Sequence, residues 1–555
     1  MATESLKTTQ LLQRYAREFQ AAIAAGHRRE AIQPLEEALK LQPTADGFRN
    51  LAILRLEVHE PIEALAACES ALTLQPGDAT THGLRGDILF QLDRWGESIR
   101  AYEQAVAIDP DLCQAWMNLA IACSRLGDDK NALRAWHNVH RLLPADLQSA
   151  IEFGRLLLKN RLYEDAHRIV DEALRHHPAS GALHQLHGVI LHKLRRSTEA
   201  LAALDQAHAL EPSNMQTIFD RGVVLDNLGC SAEALAAYTT VERVVPHHIE
   251  ARWNAALLLL RQQRWLEAWP RFEARLERPI HKKYSNEIQS IPRWDGRNAR
   301  GKQKILLLAE QGLGDTLMFI RYASLVRRRG FEVSLLAQAP LRTLLTRTAG
   351  IDHVVDESVN PSSFDVRIEL LSLAGLFATT PTAIPFANTP YLQVCPQRLD
   401  QWRSRLGPKK RPRIALMWRG SPNPWLAERS IPLKLLAGRL PDQFEYFSLQ
   451  RELTPEEIGP AGKLRLETYG GASVDFEDAA ALITLADITI SIDTSMAHLA
   501  GALGCPLWLM VPSRPEWRWA TERSTTPWYP NVEILRARED GDWSAPVAEL
   551  ARRLV

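Results

Sequence analysis

The sequence predicts an α-solenoid joined to two doubly wound α/β domains, and three observations carry that prediction. Proline recurs at Pro76, Pro110, Pro144, Pro178, Pro212 and Pro246, each 34 residues after the last. The rhythm stops near Pro279, in the polar and basic stretch "RPIHKKYSNEIQSIPRWDGRNARGKQ". Beyond it, short apolar runs alternate with helical patterns, as in parallel sheets covered by helices. The expected layout is a repeat array over residues 1–279, a linker over 280–301, and α/β domains over 302–408 and 409–555.

The repeat carries more than proline. Small residues keep the same period at Gly86, Ala120, Gly154, Gly188, Gly222 and Ala256. A second set falls at Ser98, Ala132, Ala166, Ala200, Ala234 and Ala268. A small side chain on each of two helices lets the pair approach closely, and the proline ends the second helix. "WMNLAIACSRLGDDKNALRAWHNVHRLLP" shows the unit, which resembles the tetratricopeptide repeat. About seven units are expected, with degenerate ones at each end. Such stacks present a concave groove suited to an extended peptide or a partner helix. Asn50, Asn118 and Asn254 share one repeat position, where their amides would hydrogen-bond a peptide backbone or simply meet solvent.

Bulk properties narrow the function classes. Lys and Arg together number 66, as do Asp and Glu, so the formal charge is zero. That argues against a general nucleic-acid or anionic-membrane surface. The six cysteines lack metal-ligand or disulfide-framework spacing, which suits reduced thiols in a cytoplasmic protein. "MATESLKTTQLLQRY" has no signal-peptide core, and no apolar run is long enough to insert in a membrane.

In the second half, strands are expected at Lys304–Ala309, Glu332–Ala337 and Phe364–Leu370. A further set is expected at Ile414–Trp418, Phe444–Gln450, Ile488–Ile492 and Pro506–Val511. Helices are expected over Thr316–Arg329 and in the closing "WSAPVAELARRLV". Ligands of such sheets sit beyond the carboxyl ends of the strands, here in the cleft between two sheets.

Two strand ends carry the chemistry. "SIDTSMAHLAGALGCP" delivers Asp493 and opens a helix whose Met496, Leu499, Ala500 and Leu503 face the sheet. The backbone N–H groups of Thr494, Ser495, Met496 and Ala497 would then form an anion site, with His498 one turn in. Asp493 or Thr494 would also serve as a helix cap. "EQGLGDTLMFIRY" places Gly312 and Gly314 in a loop before Asp315. It lacks the spacing of a dinucleotide or nucleoside-triphosphate loop. Trp418, Arg419 and Ser421 in "LMWRGSPNP" mark a third strand end and are candidate donor contacts, unless the Trp418 ring is core; the loops around Gln450, also a donor candidate, and Phe476 would set nucleotide choice. Trp517 and Trp519 in "PEWRW" either wall the site or pack the closing segment.

"GLGDTL" early in one sheet and "SIDTSMAHLAGALGCPLWLMVP" late in the other resemble heptosyltransferase-type glycosyltransferases. With "PRWDG", "RSIPL" and "PEWRW" after a repeat array, the chain is similar to bacterial tetratricopeptide-containing glycosyltransferases. The resemblance implies two Rossmann-like domains in the glycosyltransferase B fold and an inverting, metal-independent transfer with no cofactor. It implies Asp315 as general base and Asp493, Thr494 and Ser495 on the donor. Asp315 would otherwise be a simple helix cap, and Glu310, at the very end of the strand, is the second candidate for the base. Arg429 would meet the phosphates. Ser495 replaces the family's glycine and Arg429 its lysine, so the donor sugar need not be heptose. The implied partners are a nucleotide-sugar and a protein acceptor, such as a flagellin-like surface protein, held by the repeats. Two alternatives are a glycan or lipid-linked acceptor, and an inactive scaffold that senses a nucleotide.

Overall fold

The computed structural model describes residues 2–279, 284–420, 429–469, 475–519, 523–539 and 541–555. The chain divides into two compact units, Met1–Ala237 and Tyr238–Val555.

The first unit is a stack of antiparallel helix pairs. Ala79–Gln91 with Trp95–Ile108, and Cys113–Leu126 with Asp129–Leu142, are typical pairs. Eight such pairs occur among the described residues, from Ala2–Ala24 with Arg28–Leu41 to Ile249–Arg261 with Trp265–Phe272. The small positions act through contact. A Cβ on Gly86 would overlap the Tyr102 ring, and one on Gly188 would lie 2.5 Å from Leu204. Ser98 uses the same proximity to donate to the Gly86 carbonyl at 2.8 Å.

The turn inside each pair needs a left-handed residue. His59, Asp93, Gly127, Arg161, Arg195, Gly229 and Gln263 all have positive φ, each 34 residues from the last. Only two of the seven are glycine, the residue that adopts this conformation without a Cβ clash.

The second unit begins inside the helix Ser231–Val244, takes in the last helix pair and continues into two sheets. The first sheet is β1 (Lys304–Leu308), β2 (Glu332–Leu336), β3 (His353–Val355) and β4 (Val366–Glu369). These are all parallel, in the order β3-β2-β1-β4. The second comprises β5 (Arg413–Met417), β6 (Glu445–Ser448), β7 (Ile488–Ile492), β8 (Leu507–Val511), β9 (Thr525–Thr526) and β10 (Tyr529–Arg536). Its order is β6-β5-β7-β8-β10-β9, antiparallel only at the β9 edge. β1, β5, β7 and β8 are buried almost throughout, which is why they read as continuous apolar runs.

Several expectations change in detail. The helix expected over Thr316–Arg329 is Leu313–Phe319, a 3-10 turn at Ile320–Tyr322, and Ala323–Arg328. The break accommodates buried Arg321, whose guanidinium reaches the Trp528 carbonyl at 3.2 Å and the Tyr391 hydroxyl at 2.9 Å. β3, β9 and β10 were not expected. β10 reads "YPNVEILR", with proline and polar residues that mask its buried face. No helix among the described residues is long and apolar enough to cross a membrane.

Candidate functional site

The segments leaving five strands converge on one cavity of about 680 Å³. β1 of the first sheet contributes Gln311, Gly312, Gly314 and Asp315. From the second sheet, β5 contributes Met417 and Arg419, and β6 contributes Gln450 and Arg451. β7 contributes Asp493, Thr494 and Ser495, and the loop after β8 contributes Glu516, Trp517 and Arg518. This is the place that the topology of parallel sheets reserves for ligands.

Five charges form a relay across the cavity. Arg429 donates to Asp493 at 2.9 Å and to Glu516 at 2.7 Å. Arg518 lies 3.6 Å from Glu516, donates to Asp315, and covers the Trp517 ring at 4.5 Å. The relay therefore spans the cavity from the β7 end to the β1 end, with three carboxylates for two guanidiniums. Burial outweighs Arg429 and pushes the Asp493 carboxyl above its ordinary value. Burial also raises Glu516, but Arg518 and Arg429 together hold it below the usual range. The buried Arg518 Nε has no hydrogen-bond partner among the described residues. Arg451 stands exposed at the rim.

Helix Ser495–Ala502 starts at the cavity wall. Thr494 is its N-cap residue, yet no side chain caps it. The cap expected from Asp493 or Thr494 is therefore absent, and Asp493 serves Arg429 instead. The Ala497 N–H donates to the Thr494 carbonyl at 3.1 Å, and Ala497 is fully buried. Ala497 thus leaves the expected anion site, whereas Thr494, Ser495 and Met496 line the cavity. His498 lines it too, but its ring is committed. It shares a hydrogen bond of 3.0 Å with the Tyr529 hydroxyl and stacks on Trp519 at 4.8 Å. Burial, with Arg518 and Arg321 nearby, holds its pKa well below 6.5 and favours the neutral ring. Gly314 lets the two helices touch: a Cβ there would fall 2.6 Å from His498 Cδ2.

Asp315 lies where expected, at the start of Leu313–Phe319. One oxygen accepts the Gly312 N–H at 3.0 Å, and the other accepts Arg518. Glu310 is a correction. It is buried and takes Arg275 at 2.7 and 3.1 Å and the Leu371 N–H at 3.3 Å, away from the cavity lining. A carboxylate buried outside the cavity lining does not reach a molecule bound in it. Trp418 is a second correction. It is buried, donates to Glu457 at 2.7 Å, and packs in the core of the second sheet. Its neighbour Arg419 does face the cavity, with 2.8 Å to the Glu452 carbonyl and 3.2 Å to Glu457. Ser421 lies outside the described residues. Gln450 lines the cavity with Oε1 buried and lacking a partner among the described residues. Phe476 starts a helix and does not line the cavity.

The last helix pair supplies an apolar wall: Trp253, Leu257 and Phe272. It is held by an aromatic cluster in which Trp517 meets Trp265 at 6.1 Å, Trp269 at 6.0 Å and Trp528 at 5.8 Å. Trp517 therefore both walls the cavity and packs, while Trp519 is fully buried. The Trp269 indole donates to the Thr379 carbonyl at 2.8 Å, tying the pair to the first α/β layer. Sequence reasoning missed Arg518, Glu516 and this wall. The available signal was the string of charged and aromatic residues in "PEWRW" and "WLEAWPRFEAR".

Of the repeat asparagines, Asn118 lines a separate cavity in the first unit. Asn50 is exposed, and Asn254 belongs to the second unit without lining its cavity.

Family models describing a "TPR repeat" match residues 86–127, and a "Tetratricopeptide repeat" matches 151–214 and 219–278. The first half of the chain is built of tetratricopeptide repeats. Over nearly its whole length the chain is similar to Protein FlbA of Caulobacter vibrioides, 25% identical over 95% of this chain and 92% of that one. It is also similar to Tetratricopeptide repeat protein 21B of Mus musculus, 25% identical over 35% of this chain and 13% of that one. Among solved structures, YrrB, "a TPR protein with an unusual peptide-binding site", is 22% identical over 34% of this chain and 97% of that one, with a TM-score of 0.32.

Proposed function

We propose that the second unit is a glycosyltransferase of the B-fold type, moving a sugar from a nucleotide-sugar to a hydroxyl of a protein recruited by the repeats. The observation that carries this reading is the convergence of five strand ends on one cavity in which Arg429 and Arg518 alternate with Asp493, Glu516 and Asp315. The donor's diphosphate would compete with Asp493, Glu516 and Asp315 for Arg429 and Arg518, and would meet the Thr494–Met496 backbone. The acceptor oxygen would attack the anomeric carbon as the bond to the nucleoside diphosphate breaks, and Asp315 would take the hydroxyl proton. The guanidiniums offset charge growing on the leaving phosphate. Taking Arg518 for the donor would release Asp315 from its ion pair. The acceptor would be a serine or threonine of a flagellin-like surface protein.

The test begins with thermal shift against nucleoside diphosphates and cytidine monophosphate. A matching nucleotide at 100 times its Kd adds about 2.7 kcal/mol of stability. Arg429→Ala should lose that shift. Asp315→Asn should keep it while slowing sugar transfer, read as intact-mass gain on the acceptor. No nucleotide stabilisation at millimolar ligand refutes the reading. One observation favours a second reading, a nucleotide sensor without transfer: both oxygens of Asp315 are occupied. Stabilisation without turnover of any nucleotide-sugar would select it.

A further inference from the structure

Asp87 breaks the repeat. At its position the other units carry Ile53, Ile121, Arg155, Val189, Val223 and Leu257. Its side chain is half-buried in a cavity of about 350 Å³ in the first unit. Leu56, Phe90 and Asn118, from the first helices of three successive pairs, line that cavity with it. One carboxylate oxygen, Oδ1, accepts from the Tyr102 hydroxyl at 2.7 Å and from the Asn118 amide at 2.7 Å. Gln114 fixes the Asn118 amide by donating to its oxygen at 2.9 Å. The other oxygen, Oδ2, has no partner among the described residues, and no Lys, Arg or His pairs with the group. Burial outweighs both hydrogen bonds and raises the carboxyl above its ordinary value.

A partly desolvated carboxylate held rigid from one side, with its free oxygen unpaired, is an electrostatic deficit that a cation would cancel. The surroundings specify which kind. Phe90 puts an aromatic ring in the lining, which attracts a cation, and Leu56 with exposed Ile121 (42% accessible) offers apolar surface for a methylene stem. An anionic or purely apolar occupant would leave the deficit in place. We infer that this cavity is a binding site for a lysine or arginine side chain presented by an extended segment of a partner protein. The Asn118 amide, read from the sequence as either a backbone contact or a solvated polar group, instead orients the anchoring carboxylate. This site stands independently of the donor reading of the second unit.

The test is fluorescence anisotropy of the full chain with short labelled Ser/Ala/Leu peptides that differ only at a central Lys, Arg, norleucine or Glu. The Lys or Arg peptide should bind about tenfold more tightly than norleucine, and Glu more weakly still. Raising salt should erode the preference. Asp87→Asn keeps the size and the Asn118 neighbourhood; it should abolish the preference while leaving the melting temperature no lower and nucleotide stabilisation unchanged. Asn118→Ala, which only loosens the carboxylate, should weaken the preference in part. Equal binding of all four peptides, no binding at millimolar peptide, or a preference surviving Asp87→Asn would overturn the inference. Competition by spermidine as strong as by the Lys peptide would show a small-cation site instead.

Discussion

Arg275 and Asp87 are both charged residues at positions where the other repeats are apolar or mixed, and they fare oppositely. At the position of Arg275 the other units have Ala71, Ala105, Val139, Ala173, Ala207 and Val241. Arg275 is fully buried there, yet it is answered by Glu310, Glu273 and Ser372. Burial opposes its charge, but Glu310 and Glu273 overcome this and raise its pKa. Asp87 is less buried and has no counter-ion among the described residues. A broken repeat position therefore has two uses. Compensated within the chain, it welds a helix pair to the next layer. Left uncompensated, it marks a surface that something else completes.

The largest expected effect tests the weld. Arg275→Met leaves Glu310 buried without its partner and should cost about 3–5 kcal/mol, read by urea denaturation of the full chain. Adding Glu310→Gln should restore much of it. A loss under about 1 kcal/mol for the single variant would make the two charges equivalent and break the comparison.

A smaller effect concerns pH. Folded Asp87 holds its proton more tightly than the unfolded chain does, so folding takes up a proton in the window above the ordinary carboxylate value. Stability contributed by the protonated form is present below that value and is lost as pH rises through the raised one. Asp87→Asn should therefore gain stability relative to the native chain as pH climbs through that window, with no difference below it. A gap that closes with rising pH would show that the carboxylate is already compensated.

The smallest concerns the turns. His59 is exposed and left-handed where Gly127 and Gly229 stand in other units. His59→Gly should stabilise the first unit by roughly 0.5–1 kcal/mol, visible as a small rise in melting temperature. An unchanged or lower value would mean that departures at this position carry local compensation of their own.

Much of the candidate site was legible. Asp493, Thr494, Ser495, Arg429, Gly314 and Asp315 all line the cavity, because strand ends and helix starts are local events written in contiguous residues. Glu310 and Trp418 were misread for one reason. Each sits at a strand end as expected, but a partner distant in sequence, Arg275 or Glu457, claims it. Arg518 was missed because its role depends on meeting Asp315, 203 residues away.

Contiguous residues alone establish the repeat, its small contact positions, the alternating strands and the two polar strand ends. Period and local pattern follow from backbone geometry, which each segment meets on its own. Long-range packing alone assigns the last helix pair to the sheets, where it walls their cavity. It also decided that one acid is spent on a weld while another stands in the site, and that one carboxylate in the repeats has no answering charge. Those outcomes are set by pairing among residues far apart in the chain, where the desolvation of a charge depends on what arrives beside it.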